Sequence, residues 1–92
     1  MKFEWDENKN LANIKKHGIS FDEAKEIFDD QFAISKLDTR FEYGEERWFS
    51  VGRTKNQIVT TVAHLVFDEN LDVVIRIISA RKSTAKEIAQ YA

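Results

Sequence analysis

Few residues in this chain can do chemistry. There are two histidines, His17 and His64, five arginines and no cysteine. Without thiols there is no disulfide framework, thiol nucleophile, cysteinyl zinc or iron–sulfur site. Two histidines with no His-x-x-Glu-His run or paired-ligand spacing give no zinc signature. Gly18, Gly44 and Gly52 are too far apart for a phosphate-cradling loop, and no serine sits in a nucleophile elbow. The arginines remain. Arg47 and Arg53 flank one predicted strand, and Arg76 and Arg81 lie on another. Strand alternation predicts Val73, Ile75, Ile77, Ser79 and Arg81 on one face, with Val74, Arg76, Ile78 and Ala80 on the other. A charge inside an apolar run needs a partner, because uncompensated burial is costly. The plainest expectation for Arg76 is therefore a salt bridge to a helix carboxylate, or exposure on an open face. His64 lies on the strand between, sharing a face with Thr60 and Val62. Its plainest role is half-buried packing. Hairpin pairing can nevertheless bring Glu46, Arg47, His64 and Arg76 into one patch. Such a set is workable for RNA cleavage: a base removes the 2′-hydroxyl proton, arginines stabilise charge on the pentacoordinate phosphate, and an acid protonates the leaving 5′-oxygen. Histidine can carry the proton either way, while arginine stays charged and serves as a clamp.

The elements that must position these residues divide the chain in two. Phe3-Glu4-Trp5 reads as a short strand, with Asp6 capping a helix whose thin apolar stripe is Leu11 and Ile14. Asn8, Lys9, Asn10, Asn13, Lys15 and Lys16 are expected to face water. His17-Gly18 ends that helix: glycine accepts the left-handed conformation, and a histidine in the last turn suits the dipole. Ser20-Phe21-Asp22-Glu23 has capping-box form, and Phe21, Ala24, Ile27 and Phe28 at helical spacing extend a second helix to about Asp29. The second half reads as sheet. Phe32–Leu37 is a strand and Asp38–Glu45 a polar loop. Glu46–Arg53, Ile58–Phe67 and Leu71–Arg81 are β-branched or aromatic runs joined by Thr54-Lys55-Asn56 and Asp68-Glu69-Asn70. These short connections predict an antiparallel meander. Thr84-Ala85-Lys86-Glu87 opens a short C-terminal helix through Tyr91. The expected fold class is α+β: two N-terminal helices packed on an antiparallel meander, followed by that short helix.

Length and composition agree with a single domain over residues 1–92. The chain is 42% apolar, 33% charged and 12% aromatic, which supplies burial that disordered chains lack. No apolar leader or membrane-length run is present, so a cytoplasmic chain is expected. The net charge of −2 conceals a division. Residues 1–46 carry 7 Lys/Arg against 12 Asp/Glu, a balance of −5; residues 47–92 carry 7 against 4, a balance of +3. Such asymmetry points either to polyanion or partner binding, or to solvated helices in one half and sheet edges in the other.

Three ordered blocks resemble the BrnT toxin family. The first comprises Trp5-Asp6, Lys9, Asn13, Lys16-His17-Gly18, Ser20-Phe21 and Glu23-Ala24; the others are Tyr43-Gly44-Glu45-Glu46-Arg47 and Arg76-Ile77-Ile78-Ser79-Ala80-Arg81-Lys82. Glu87 and Tyr91 fit the family's C-terminal helix. The resemblance implies a type II toxin of RelE-like fold, an endoribonuclease that needs no metal or other cofactor and arrests translation. It implies neutralisation by a BrnA-like antitoxin with a ribbon–helix–helix domain, operator DNA being bound only through that complex. A homodimer is compatible with it, and no membrane partner is expected. By position, Arg47, Arg76 and Arg81 become candidates for phosphate binding and transition-state stabilisation, and Glu46 and His64 for proton transfer. Lys16, His17 and Trp5 read first as structural. The chain departs from the family pattern at Leu65-Val66-Phe67, where relatives often carry a threonine and a nearby arginine, and at Ile88, where they commonly carry an arginine. An alternative reading keeps fold and antitoxin but replaces cleavage with complex formation and operon control.

Overall fold

The computed structural model describes residues 1–39 and 46–91. Most of the expected loop, including Tyr43, Gly44 and Glu45, lies outside the described residues. The elements are β1 (Lys2–Glu4), α1 (Glu7–His17), α2 (Phe21–Ala24) continued by a 3₁₀ segment (Lys25–Asp29), β2 (Ile34–Leu37), β3 (Arg47–Arg53), β4 (Val59–Glu69), β5 (Asp72–Lys82) and α3 (Ala85–Tyr91). The five strands form one sheet in the order β1-β5-β4-β3-β2. The meander is antiparallel as expected, but β1 pairs parallel with β5, Lys2 opposite Val74 and Glu4 opposite Arg76. The sheet is therefore mixed, because the chain crosses over through α1 and α2 before β5 is made. Among the described residues, no helix is long and apolar enough to cross a membrane.

Capping chemistry sets the helix ends. The Asp6 carboxylate accepts from the amides of Asn8 (2.8 Å) and Lys9 (3.3 Å), and Gly18 closes α1 at φ 71° by donating to the Ile14 carbonyl. Ser20 and Glu23 form the expected capping box. Phe21, Ala24 and Ile27 are fully buried and join Ile19, Val62, Ile75, Ile77 and Ala80 in the core. Trp5 meets Phe21 edge-on, with ring centroids 6.1 Å apart.

α1 does not bury the side expected of it. Leu11 is 58% exposed and Ile14 40%, whereas Asn10 and Asn13 are buried. The reason is that α1 packs against backbone. The Asn10 side-chain oxygen accepts from the Phe21 amide at 2.8 Å. Asn13 donates to the carbonyls of Ile19 and Ala80, both at 2.9 Å, and accepts from the Ala80 amide at 3.1 Å. β1 covers the outer edge of β5 only as far as Arg76. Farther along, Asn13 supplies the hydrogen bonds that a longer neighbour strand would make.

Candidate active site

The pairing of β5 with β4 contains an irregularity that decides where the arginines point. Ala63 faces Ser79 and His64 faces Ile77, so Ile78 has no partner and forms a β-bulge. One extra residue reverses the alternation beyond it. The expectation that Arg76 and Arg81 lie on opposite faces is overturned: Arg76 is level with Leu65 and Arg81 with Thr61, which share one face of β4. Arg47 is also level with Leu65, so all three arginines project from the face opposite α1 and α2. Asn13, clamped to both backbone groups of Ala80, holds β5 just beyond the bulge.

On this open face the side chains lie in ranks across β3, β4 and β5. Arg47–Leu65–Arg76 is followed by Phe49–Ala63–Ser79 and then by Val51–Thr61–Arg81. Four residues of β4 separate the outer ranks, about 13 Å. The small Ala63 and Ser79 leave a hollow of about 270 Å³ bordered by Arg47 and Arg81. A second hollow of about 500 Å³ adjoins it and is lined by Lys9, Glu46, Arg47 and Arg76, with apolar walls from Leu65 and Phe67. Glu46 is exposed there. The partner of Arg76 is Glu4, at 3.1 Å. A carboxylate on the neighbouring parallel strand thus fills the role expected of a helix.

Arg81 is held by α3. Both its terminal nitrogens donate to Glu87, at 2.7 and 2.9 Å. Glu87 also accepts from the Thr61 hydroxyl at 3.0 Å and the Thr84 amide at 2.8 Å. The Arg81 guanidinium, hydrogen-bonded to this carboxyl, pulls its pKa down to about 2. Thr84 and Glu87 complete the expected capping box, so one carboxylate caps α3 and fixes Arg81. Tyr91 ties the far end of the helix by donating to Asp30 at 2.5 Å. α3 itself buries no residue. Its attachment is largely polar.

His64 stands apart from the arginines. It faces Trp48 and Ile77 on the core side, is 2% exposed, and lies edge-on to Phe28 with ring centroids 5.0 Å apart. Its Nε2 is 2.7 Å from the Ser50 hydroxyl, which is 2.7 Å from that of Ser35. Nδ1 is buried and has no hydrogen-bond partner among the described residues. Burial drops the imidazole pKa from 6.5 to about 4. The structure therefore brings Glu46, Arg47 and Arg76 together, sets Arg81 two ranks away on the same face, and puts His64 behind the sheet. Among the described residues no three His, Asp or Glu side chains converge as metal ligands would. Lys9 is exposed as expected, whereas Asn10 and Asn13, expected to face water, are buried. Only the placement of Asn10 and Asn13 on one helix stripe hinted otherwise.

The model of a family described as the ribonuclease toxin BrnT of type II toxin–antitoxin systems matches residues 5–87. The crystal structure of the Brucella abortus ribonuclease toxin BrnT has a similar fold. Its TM-score is 0.63 at 23% identity, covering 91% of this chain and 97% of that one. No curated protein matches the chain.

Proposed function

Because the chain belongs to the BrnT family of type II ribonuclease toxins, whose members are paired with an antitoxin, we propose that its open sheet face is a metal-independent endoribonuclease site. The carrying observation is the bulge at Ile78, which brings Arg81 to the face of Arg47 and Arg76, beside a hollow floored by Ala63 and Ser79. Arginine forks suit phosphate oxygens, and fixed cations stabilise the charge that grows on a pentacoordinate phosphorus. Glu46 takes the 2′-hydroxyl proton. The 2′-oxygen attacks phosphorus, the bond to the 5′-oxygen breaks, and that oxygen leaves with a proton from water. The products are a 2′,3′-cyclic phosphate and a 5′-hydroxyl end. His64 takes no part, since the sheet lies between it and the arginines. Cleavage of cytoplasmic RNA arrests translation, and a BrnA-like ribbon–helix–helix antitoxin covers the arginine face and brings the complex to operator DNA.

The test is RNA cleavage by purified protein in excess EDTA. Wild type is expected to cleave. Arg47→Ala and Arg81→Ala are expected to lose about 10²-fold or more, and His64→Gln, assayed at a temperature where it is folded, to keep its activity. No cleavage by wild type, or equal cleavage by the arginine variants, refutes the site. A second reading, antitoxin binding without catalysis, draws on the Glu87 carboxylate already seated on Arg81. Antitoxin capture by a protein that cleaves nothing is its signature.

A further inference from the structure

The hollow lined by Lys9, Glu46, Arg47 and Arg76 adjoins the one between Arg47 and Arg81, and Arg47 and Ile78 border both. Lys9 comes from the first turn of α1, on the far side of β5. Its backbone position is fixed, because its amide donates to the Asp6 cap and the neighbouring Trp5 is packed on Phe21. Lys2 pairs with Glu69 at 3.6 Å and Lys25 with Asp22 at 2.8 Å; of the other lysines of this half, Lys9, Lys15, Lys16 and Lys36, only Lys9 lines this hollow. Arg76 is compensated by Glu4. Lys9 has no ion-pair partner among the described residues, although it borders a hollow already walled by two guanidinium groups. Glu46 brings one carboxylate to the same lining against three basic side chains, and that excess of positive charge favours a bound anion.

We propose that Lys9 and Arg76 form a second phosphate subsite, which holds the RNA phosphate next to the one clamped between Arg47 and Arg81. This rests on the ribonuclease reading above and extends it. The strand would then lie diagonally across the sheet, from the α3 side of β5 to the β1 end. One clamped phosphate leaves the backbone free to pivot. Two fix its direction and present a single 2′-hydroxyl to Glu46. An ammonium on a flexible stem suits this positioning task, because it supplies charge without demanding one geometry.

The experiment measures binding of an uncleavable 2′-O-methyl RNA oligonucleotide by the full chain over a series of KCl concentrations. Each phosphate neutralised on a single strand adds about 0.7 to the slope of log K against log salt. Lys9→Ala is expected to reduce the slope by about that amount and to weaken binding several-fold, and Lys9→Arg to restore both. Lys15→Ala, on the same helix but away from the hollow, is expected to change neither. An unchanged slope for Lys9→Ala, or an equal reduction for Lys15→Ala, overturns the subsite. If wild type cleaves RNA and the slope is unchanged, the subsite alone falls. If wild type neither binds nor cleaves RNA, the ribonuclease reading and the subsite fall together. Should Lys9→Ala weaken only antitoxin binding, the hollow is a protein contact and the proposal is refuted.

Discussion

Burial of His64 makes the stability of this protein depend on pH in a window that its carboxylates do not share. The imidazole is 2% exposed, walled by Phe28, Trp48 and Ile77, and its Nε2 is hydrogen-bonded to the Ser50 hydroxyl. It remains neutral when folded down to about pH 4, whereas in the unfolded chain it gains a proton near pH 6.5. The folded pKa is the lower of the two. The stability linked to it is thus fully present above 6.5 and is lost as pH falls towards 4, where the folded state begins to bind the proton as well. Each pH unit in the window corresponds to about 1.4 kcal/mol, and the whole shift to about 3 kcal/mol. A domain of this size has about 5–10 kcal/mol in total. Urea denaturation at pH 7, 6, 5 and 4 measures the loss directly. Wild type should lose about 3 kcal/mol from pH 7 to 4, and His64→Gln, which keeps a polar group near Ser50 but does not titrate, should lose far less. Glu87, Asp30 and Asp72, whose pKa values are lowered from 4.5, 3.8 and 3.8, contribute at lower pH. Equal pH slopes for the two proteins, or an imidazole that titrates near 6.5 by NMR in the folded state, would refute the burial account.

Three other perturbations follow from the geometry. Asn13→Ala removes three hydrogen bonds and orphans both backbone groups of Ala80, so chemical denaturation should show a loss of about 3 kcal/mol. Leu71→Gly should be stabilising: Asn70 and Leu71 occupy the two-residue hairpin loop at φ 51° and 68°, and Leu71 is fully exposed. Relief of the left-handed leucine is worth about 1 kcal/mol, read as a melting temperature a few degrees higher. Glu87→Gln breaks the fork on Arg81. The pair is partly solvated, so the loss should be about 1 kcal/mol at neutral pH, shrinking as pH falls from 4.5 towards 2 and the wild-type carboxylate protonates.

Local chemistry was legible in the sequence wherever a few neighbouring residues settle the outcome. The caps at Asp6, Ser20 and Thr84, the glycine stop at Gly18 and the three meander strands are all of this kind. So is the face shared by Thr60, Val62 and His64. What escaped depends on distant partners. Alternation assumes a period of two, and nothing in Arg76-Ile77-Ile78-Ser79-Ala80-Arg81 announces that Ile78 breaks it. The bulge is secured by Asn13, 67 residues from Ala80 in sequence. Polar residues on a helix are ordinarily solvated, so the shared stripe of Asn10 and Asn13 was the one sign that α1 binds backbone. The patch expected around His64 failed for a simpler reason. Residues level with one another across a sheet share a face, and those level with His64 are Trp48 and Ile77, not Arg47 and Arg76.

The parallel pairing of β1 with β5 also bears on when the arginine face can assemble during synthesis. β1 leaves the ribosome well before its partner, which begins at Asp72. Glu4 cannot meet Arg76, nor Asn13 meet Ala80, until β5 has been translated and has emerged. Contacts of such long sequence separation form late and slow folding. A nascent chain therefore carries no assembled arginine face, whatever length the ribosome has reached before β5. For a member of a ribonuclease-toxin family, that order keeps the arginine face unassembled until the last strand of the sheet has been made.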